Sequence, residues 1–312
     1  MLHGGPGLNS DYLAPLEALV DHGRTVIRYD QLGCGRSTYG QGMAVDGFDP
    51  FLREIDALRD HLGLERVHIL GHSWGGMLAL EYMLSSPRGV AGLVLASAPY
   101  NVAMWEEEMS RLRSELPEKN DAALRRCEAH FGSEVSEPKE RKGQSEMSLR
   151  VGARVLQTGY RAGCHPLAQA TARVASKIPV LRGASYQVLQ LEFLRRHVCR
   201  LKNPPVQLFR SQVGVNKDLY VGLWGPSEFY ATGSLRPWDV SGRLAAITVP
   251  TLVTSGRFDE ATPTQMDQLH RSIPNSEWAI FERSAHVAHL EEPHEYLDTV
   301  QRFFSLADSQ PK

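Results

Sequence analysis

Ser73 stands inside Gly71-His72-Ser73-Trp74-Gly75-Gly76, after the apolar run Val67-His68-Ile69-Leu70 and before Met77-Leu78-Ala79-Leu80-Glu81-Tyr82, which carries helical character. A serine hydroxyl is a poor nucleophile and must stand clear of its backbone to reach a carbonyl. A sharp strand-to-helix turn does this by holding the serine in a strained conformation, tolerable only when the residues two before and two after lack bulk. Gly71 and Gly75 meet that need. The following helix would aim its N-terminus at the serine, so that the Trp74 N–H and the helix dipole face a developing oxyanion. The plainer reading is a glycine-rich turn between an ordinary strand and helix, and the rest of the chain must decide between the two.

Downstream, the apolar run Val249-Pro250-Thr251-Leu252-Val253-Thr254-Ser255-Gly256 leads into Arg257-Phe258-Asp259-Glu260, and Arg283-Ser284-Ala285-His286 follows the next strand-like run. Ser73, Asp259, His286 is the nucleophile–acid–base order of the α/β-hydrolase class. In that arrangement His286 takes the serine proton and returns it to the leaving group, while Asp259 fixes the imidazole tautomer and stabilises its cation. Glu260 could serve as the acid instead, but Asp259 stands right at the strand exit and is preferred. His289 and His294 lie near His286, yet their spacing lacks the H-E-x-x-H signature of a metal site, and they are expected to cap or decorate the last helix. His72 is expected to pack beneath the turn. No metal or cofactor is called for.

Those residues need elements to hold them. His3-Gly4-Gly5-Pro6-Gly7 is a loop whose backbone N–H groups can approach a ligand oxygen unobstructed. Only Met1-Leu2 precede it, so either the chain is truncated or the sheet lacks its usual first strands. Asp11 to Val20 reads as a short amphipathic helix, and Thr25-Val26-Ile27-Arg28-Tyr29-Asp30 as a buried strand. Cys34, in the turn Gln31-Leu32-Gly33-Cys34-Gly35-Arg36-Ser37, reads as a small packed residue. Phe48 to Leu62 shows helical spacing that stops at Gly63, and Val90 to Ala96 is the strand after the Ser73 helix. This alternation predicts a mostly parallel sheet with helices on both faces, residues 1–99 and 241–312 forming its core. Between them, residues 100–240 are expected to form a helical cap over the carboxyl edge of the sheet, where open α/β folds bind ligands. Within the cap, about 133–185 has poor helix and strand periods. No acidic residue falls between Glu146 and Glu192, whereas Arg150, Arg154, Arg161, Arg173, Lys177 and Arg182 do; a mobile, disordered insertion is expected there.

Composition narrows the classes. A chain of 312 residues with 42% hydrophobic content can bury a large core. A net charge of −2 and a pI near 6.6 give no global bias toward nucleic acid or membrane, and no apolar run is long enough for a transmembrane helix. Cys34, Cys127, Cys164 and Cys199 form no C-x-x-C pair, so reduced thiols in the cytosol are the default expectation.

Taken together, His3-Gly4-Gly5-Pro6-Gly7, Asp30-Gln31-Leu32-Gly33-Cys34-Gly35-Arg36-Ser37, Gly71-His72-Ser73-Trp74-Gly75-Gly76, Trp224-Gly225-Pro226-Ser227-Glu228-Phe229 and Gly256-Arg257-Phe258-Asp259-Glu260-Ala261-Thr262-Pro263 resemble the proline iminopeptidase family, the chain being most similar to its tricorn-interacting aminopeptidase type. The likeness spans most of the chain except about 133–185. It implies an α/β-hydrolase fold and release of an N-terminal residue, often proline, from short peptides or amino-acid amides. It also implies Ser73, Asp259 and His286 as catalytic residues, the backbone N–H groups of Gly5 and Trp74 as oxyanion donors, and Glu228 and Glu260 as the carboxylates that hold the substrate's α-amino group. The physics agrees, because an exopeptidase must recognise a cationic amine close to the scissile bond. Glu228 as a solvated residue and Glu260 as a helix-capping charge are the plainer alternatives. Tyr220 and Trp224 read equally as a side-chain pocket or as packing. Two departures from the family are expected: a sheet edge exposed by the missing strands, leaving the Gly5 loop without support, and the long 133–185 stretch. An esterase, amidase or lactonase acting on a small metabolite is the competing enzyme reading, since the same three residues serve any acyl transfer. An inactive hydrolase-fold protein is the third. The oligomeric state is not legible.

Overall fold

Four short apolar runs build the sheet of the computed structural model, which describes residues 1–37, 45–129, 157–160, 162–163, 165–178 and 181–309. Strands β1 (Val67–His72), β2 (Val90–Ala96), β3 (Thr251–Gly256) and β4 (Ser276–Phe281) lie side by side in that order, all parallel, with Gly71 beside Leu95, Ala96 beside Thr254 and Gly256 beside Phe281. β3 is buried along its whole length, as expected of a strand in a parallel sheet covered on both faces. The pleat divides the core. Ile69, Leu93, Leu95 and Val253 point to one face, against Phe51 and Ile55 of helix α1 (Asp49–His61) and Met77 and Leu80 of helix α2 (Trp74–Leu84). Leu70, Val94, Ala96, Leu252 and Phe281 point to the other, against Tyr12, Leu13, Leu16 and Leu19 of a 3-10 helix (Ser10–His22) and Tyr296, Val300, Phe303 and Phe304 near the C-terminus. Because α2 is buried almost all round, its sequence is apolar on every side and lacks an amphipathic stripe.

Between β2 and β3 lie α3 (Val102–Ser114), α4 (Glu118–Glu128), α5 (Pro166–Ala175), α6 (Arg182–Leu189), α7 (Leu191–His197), α8 (Val206–Val213), α9 (Lys217–Leu223) and a 3-10 helix (Ser241–Ala246). Local chemistry starts several of them. The Asn101 side chain accepts from the Met104 N–H, and Asn216 accepts from the Leu219 N–H. The sheet pattern then resumes with β3, helix α10 (Pro263–Ser272), β4, the short α11 (Ala288–Glu291) and the closing α12 (Pro293–Ser309). Thr262 and Gln265 cap α10 reciprocally, with Pro263 at its first position. No helix among the described residues is long and apolar enough to cross a membrane.

Three expectations are corrected. Residues 25–30 do not form a strand. Met1-Leu2 lies between this segment and β1, with the Met1 amine donating to the Ile27 carbonyl and the Leu2 N–H to that of Leu70; two residues are too few for a ladder. The 133–185 stretch is in part regular. Residues 130–156 lie outside the described residues, but α5 is a capped helix packed on α4 and α6. Its period is masked because Leu167 (70% exposed) and Val174 (65%) face outward while Gln169 is buried, donating to the carbonyls of Gly163 and Val188. Finally, the Gly5 loop is supported without a full strand behind it, by side chains described next.

Candidate active site

At the carboxyl ends of the four strands the chain turns sharply, and there the chemically capable residues converge. Ser73 follows β1 with φ 56° and ψ −123°, and its N–H donates to the Ala96 carbonyl. That conformation is strained for a residue with a Cβ, and the surroundings leave no alternative path. A Cβ on Gly71 would lie 2.2 Å from the Gly75 carbonyl oxygen, and one on Gly75 would lie 2.1 Å from that of Leu2. Glycine at both positions lets backbone pass against backbone, and Ser73 is left partly exposed among buried neighbours.

His286 arrives on the loop after β4 and is 6% exposed. Its Nδ1 donates to Asp259 Oδ1 at 2.8 Å. Asp259, just past the end of β3, is almost fully buried, and three further donors hold it: the Ala261 N–H at 2.8 Å on the same oxygen, and the Ser97 hydroxyl at 2.6 Å and the Gly256 N–H at 3.3 Å on the other. Thus Asp259, and not Glu260, is the carboxylate hydrogen-bonded to Nδ1 of the imidazole. Glu260 sits on the opposite side of the ring, its Oε1 3.7 Å from His286 Nε2. Its other oxygen is buried with no hydrogen-bond partner among the described residues.

Beneath the turn runs a chain of hydrogen bonds whose directions follow from its ends. The His72 Nε2 contacts the His286 carbonyl at 2.8 Å, and since a carbonyl only accepts, Nε2 carries the proton. His72 Nδ1 therefore accepts, from the Tyr12 hydroxyl at 2.8 Å, and that hydroxyl accepts the Gly4 N–H at 2.7 Å. The chain ties the glycine-rich loop, the Ser73 turn and the His286 loop into one unit. Burial, together with the neighbouring His286 and His289, holds the His72 imidazole well below the usual histidine range, as a neutral relay requires. His289 is also buried, with ring contacts to Tyr12, His72 and Tyr296, and burial lowers it to about 4. It therefore forms part of the floor of the site and does not decorate α12; His294 is exposed on the first turn of that helix.

The glycine-rich loop has a second brace. His3 Nδ1 donates to the Gly4 carbonyl, His3 Nε2 accepts from the Gln31 N–H, and the Gln31 side chain joins the His3 carbonyl to the Trp74 indole N–H. A Cβ on Gly4 would lie 3.2 Å from the Ser73 Cβ, so the loop passes directly over the serine. The Trp74 backbone N–H lies in the first turn of α2, where amides have no intrahelical acceptor. The glycine-rich loop and the first turn of α2 thus both adjoin Ser73.

Glu228 enters from the loop after α9. The Tyr220 hydroxyl donates to its Oε2 at 2.6 Å, and the Trp105 indole N–H donates to its carbonyl at 3.4 Å. Burial pushes the Glu228 carboxyl up against the pull of the Tyr220 hydrogen bond and of His286. Burial also pushes Glu260 well up against His286, with Glu228 and Asp259 adding to the push. Two neighbouring carboxyls, Glu260 buried and Glu228 half-buried, disfavour double ionisation unless a cation joins them. Trp224, whose ring meets that of Trp105 edge-on, is packing, whereas Tyr220 is the partner of Glu228. The end of α7 also grips the loops that carry Asp259 and His286. The His197 carbonyl accepts the Glu260 N–H, and that of Val198 accepts the Val287 N–H.

Of the residues expected from the sequence, the structure brings Asp259 and Glu260 to the two ring nitrogens of His286, and Ser73 lies beside the Gly4 backbone of the glycine-rich loop. Sequence reasoning does not reach the roles of Ser97, Tyr12, His3 and Gln31. His3 and Gln31 fall inside motifs that the sequence does show, but Ser97 and Tyr12 carry no local signal, because their partners are 162 and 60 residues away.

Residues 1–146 match the family model for the alpha/beta hydrolase fold. The chain is 34% identical to a proline iminopeptidase of Heyndrickxia coagulans, covering 98% of this chain and 89% of that one. It is 32% identical to one of Saccharolobus solfataricus, covering 97% and 83%. The crystal structure of the Mycobacterium smegmatis proline iminopeptidase superposes with a TM-score of 0.77 at 32% identity, covering 98% and 88%. Near-full-length identity of this order, together with a site built on the same motifs, means that the chain belongs to the proline iminopeptidase family of α/β-fold hydrolases.

Proposed function

We propose that the protein is a serine aminopeptidase that releases an N-terminal residue, proline or another small or apolar one, from short peptides or amino-acid amides through an acyl-enzyme. Ser73 Oγ attacks the scissile carbonyl while neutral His286 accepts its proton at Nε2. Asp259 holds the Nδ1–H and stabilises the imidazolium. The Gly5 and Trp74 N–H groups stabilise the oxyanion. His286 then protonates the leaving amine, and water hydrolyses the acyl-enzyme by the same route in reverse. Glu228 and Glu260 bind the free α-ammonium, and helices α3–α9 act as the cap that carries Glu228 and sets how much chain fits beyond it.

The observation that carries this reading is the buried, half-unpartnered Glu260 carboxylate beside the ring nitrogen of the base. An esterase for neutral acyl groups has no use for it, whereas a substrate with an ammonium one residue from the scissile bond supplies its missing partner. The test is hydrolysis of proline and alanine arylamides beside their N-acetylated forms, with Ser73→Ala and Glu228→Gln variants. The reading expects loss of turnover in Ser73→Ala, a KM raised at least about 10-fold in Glu228→Gln, and no turnover of acetylated substrates. Equal turnover of free and acetylated substrates would replace it with a general esterase or amidase.

A further inference from the structure

We propose that Glu260 has a second task besides holding the amine: in the free enzyme it masks the base by pairing with His286, and the substrate's ammonium unmasks it. The inference rests on the amine-anchored reading above. It begins from geometry. His286 carries a carboxylate on each ring nitrogen, Asp259 Oδ1 at 2.8 Å from Nδ1 and Glu260 Oε1 at 3.7 Å from Nε2. Nε2 is the atom that must receive the Ser73 proton.

The other groups around the imidazole leave this pairing unopposed. Glu228 adds a third carboxyl from the cap side, with Tyr220 bonded to it. His72 and His289 approach from beneath, but both are buried and held in their neutral range, so they contribute no competing cation. Burial lowers the imidazole, but Asp259 and Glu260, with a contribution from Glu228, outweigh it and lift His286 to about 9. With the proton of the pair held on Nε2, between the Asp259 and Glu260 carboxyls, the ring is an imidazolium, which cannot act as a base.

An ammonium bound between Glu228 and Glu260 changes two terms in the same direction. It satisfies Glu260, removing the attraction on Nε2, and it sets a positive charge near the imidazolium. The proton leaves His286 for solvent, Nε2 becomes an acceptor, and the Ser73 proton can transfer. A molecule without the amine enters the cleft but leaves the base protonated. Discrimination against blocked peptides would thus come from activation of the site as well as from binding, a form of specificity in which the correct substrate completes the catalytic group.

The experiment is the pH profile of kcat/KM for an ester that has no amine, 4-nitrophenyl acetate, with wild-type, Glu260→Gln and Glu260→Asp proteins, and in parallel for proline arylamide. Removing the Glu260 charge should lower the acid limb for the ester by about one pH unit and raise its hydrolysis at pH 7 about 10-fold, while proline arylamide turnover falls. Glu260→Asp should keep the wild-type limb. An ester limb that stays where it is in Glu260→Gln, with arylamide turnover lost, overturns the masking and leaves the amine clamp standing. Arylamide kinetics unchanged in Glu260→Gln overturn the clamp itself. If Glu260→Gln does not fold, the wild type suffices. The His286 imidazole is titrated by NMR with and without saturating pyrrolidinium, which should lower its pKa by about one unit or more; no change overturns the proposal.

Discussion

Replacing Asp259 by asparagine exchanges a carboxylate for a group with one acceptor end and one donor end, and the hydrogen bonds around it determine which end faces His286. Oδ1 accepts from His286 Nδ1 and from the Ala261 N–H, both at 2.8 Å, and neither donor can reverse without breaking the site. Oδ2 accepts from the Ser97 hydroxyl at 2.6 Å and, at 3.3 Å, from the Gly256 N–H. Ser97 can reverse. Its hydroxyl already lies 3.2 Å from the His286 carbonyl and can donate there while accepting from the new amide. The carboxamide should therefore turn its oxygen to the imidazole, keeping the Nδ1–H tautomer and losing the charge and the long bond from the Gly256 N–H. A nearby opposite charge shifts a pKa by about 1–3 units, so the loss of imidazolium stabilisation is about 1.4–4 kcal/mol, or roughly 10- to 1,000-fold in kcat for proline arylamide. That is less than the ~10,000-fold expected when the wrong tautomer is held. The downfield Nδ1–H proton resonance should persist, and adding Ser97→Ala should deepen the defect by removing the residue that selects the amide's orientation. A loss of ~10,000-fold or more in Asp259→Asn alone, with that resonance gone, would refute the reasoning.

Gly75→Ala should be severe although it touches no reacting atom. Its Cβ would lie 2.1 Å from the Leu2 carbonyl and 2.7 Å from that of His3, so the loop bearing Gly5 must move. We expect about 1–3 kcal/mol of destabilisation by chemical denaturation and at least about 100-fold lower kcat as an oxyanion donor is displaced. Stability should also report the charge on His286. Its folded value of about 9 lies above the ordinary 6.5, so the stabilisation is complete below pH 6.5 and is lost as pH rises through 9. The gap corresponds to about 3 kcal/mol, an upper bound because the buried Glu260 carboxyl opposes it. The unfolding free energy of the wild type relative to His286→Gln should shrink across that window; a constant difference would mean that the free site holds a neutral imidazole.

Much of this site is legible in the order and spacing of its residues. The Gly71–Gly76 turn is legible because strain on a residue with a Cβ demands small neighbours at fixed offsets, a local requirement that leaves a local pattern. Asp259 and His286 are legible because strands β3 and β4 are short apolar runs, and the residue at a strand exit is fixed by where the run stops. The parallel sheet follows from short apolar strands alternating with helices. Residues 25–30 carry the same apolar character, but pairing is a property of the neighbour and is not written in the run itself. The period of α5 is obscured because exposed leucine and valine and a buried glutamine invert the usual pattern.

The tertiary structure decided what depends on distant contacts. Glu260 and Asp259 are adjacent in sequence and chemically alike, and only the packing of their loop sends one to Nδ1 and the other to Nε2. Ser97 and Tyr12 acquire roles from partners far along the chain, with nothing in their own neighbourhoods to announce them. The sequence alone determined which residue types and which strand ends could form a hydrolytic site, because those are set by local sterics and hydrophobic periodicity. The directions of the hydrogen bonds and the balance of charge around His286 arise only when segments hundreds of residues apart are buried together, since low local polarity is what makes those charges interact strongly.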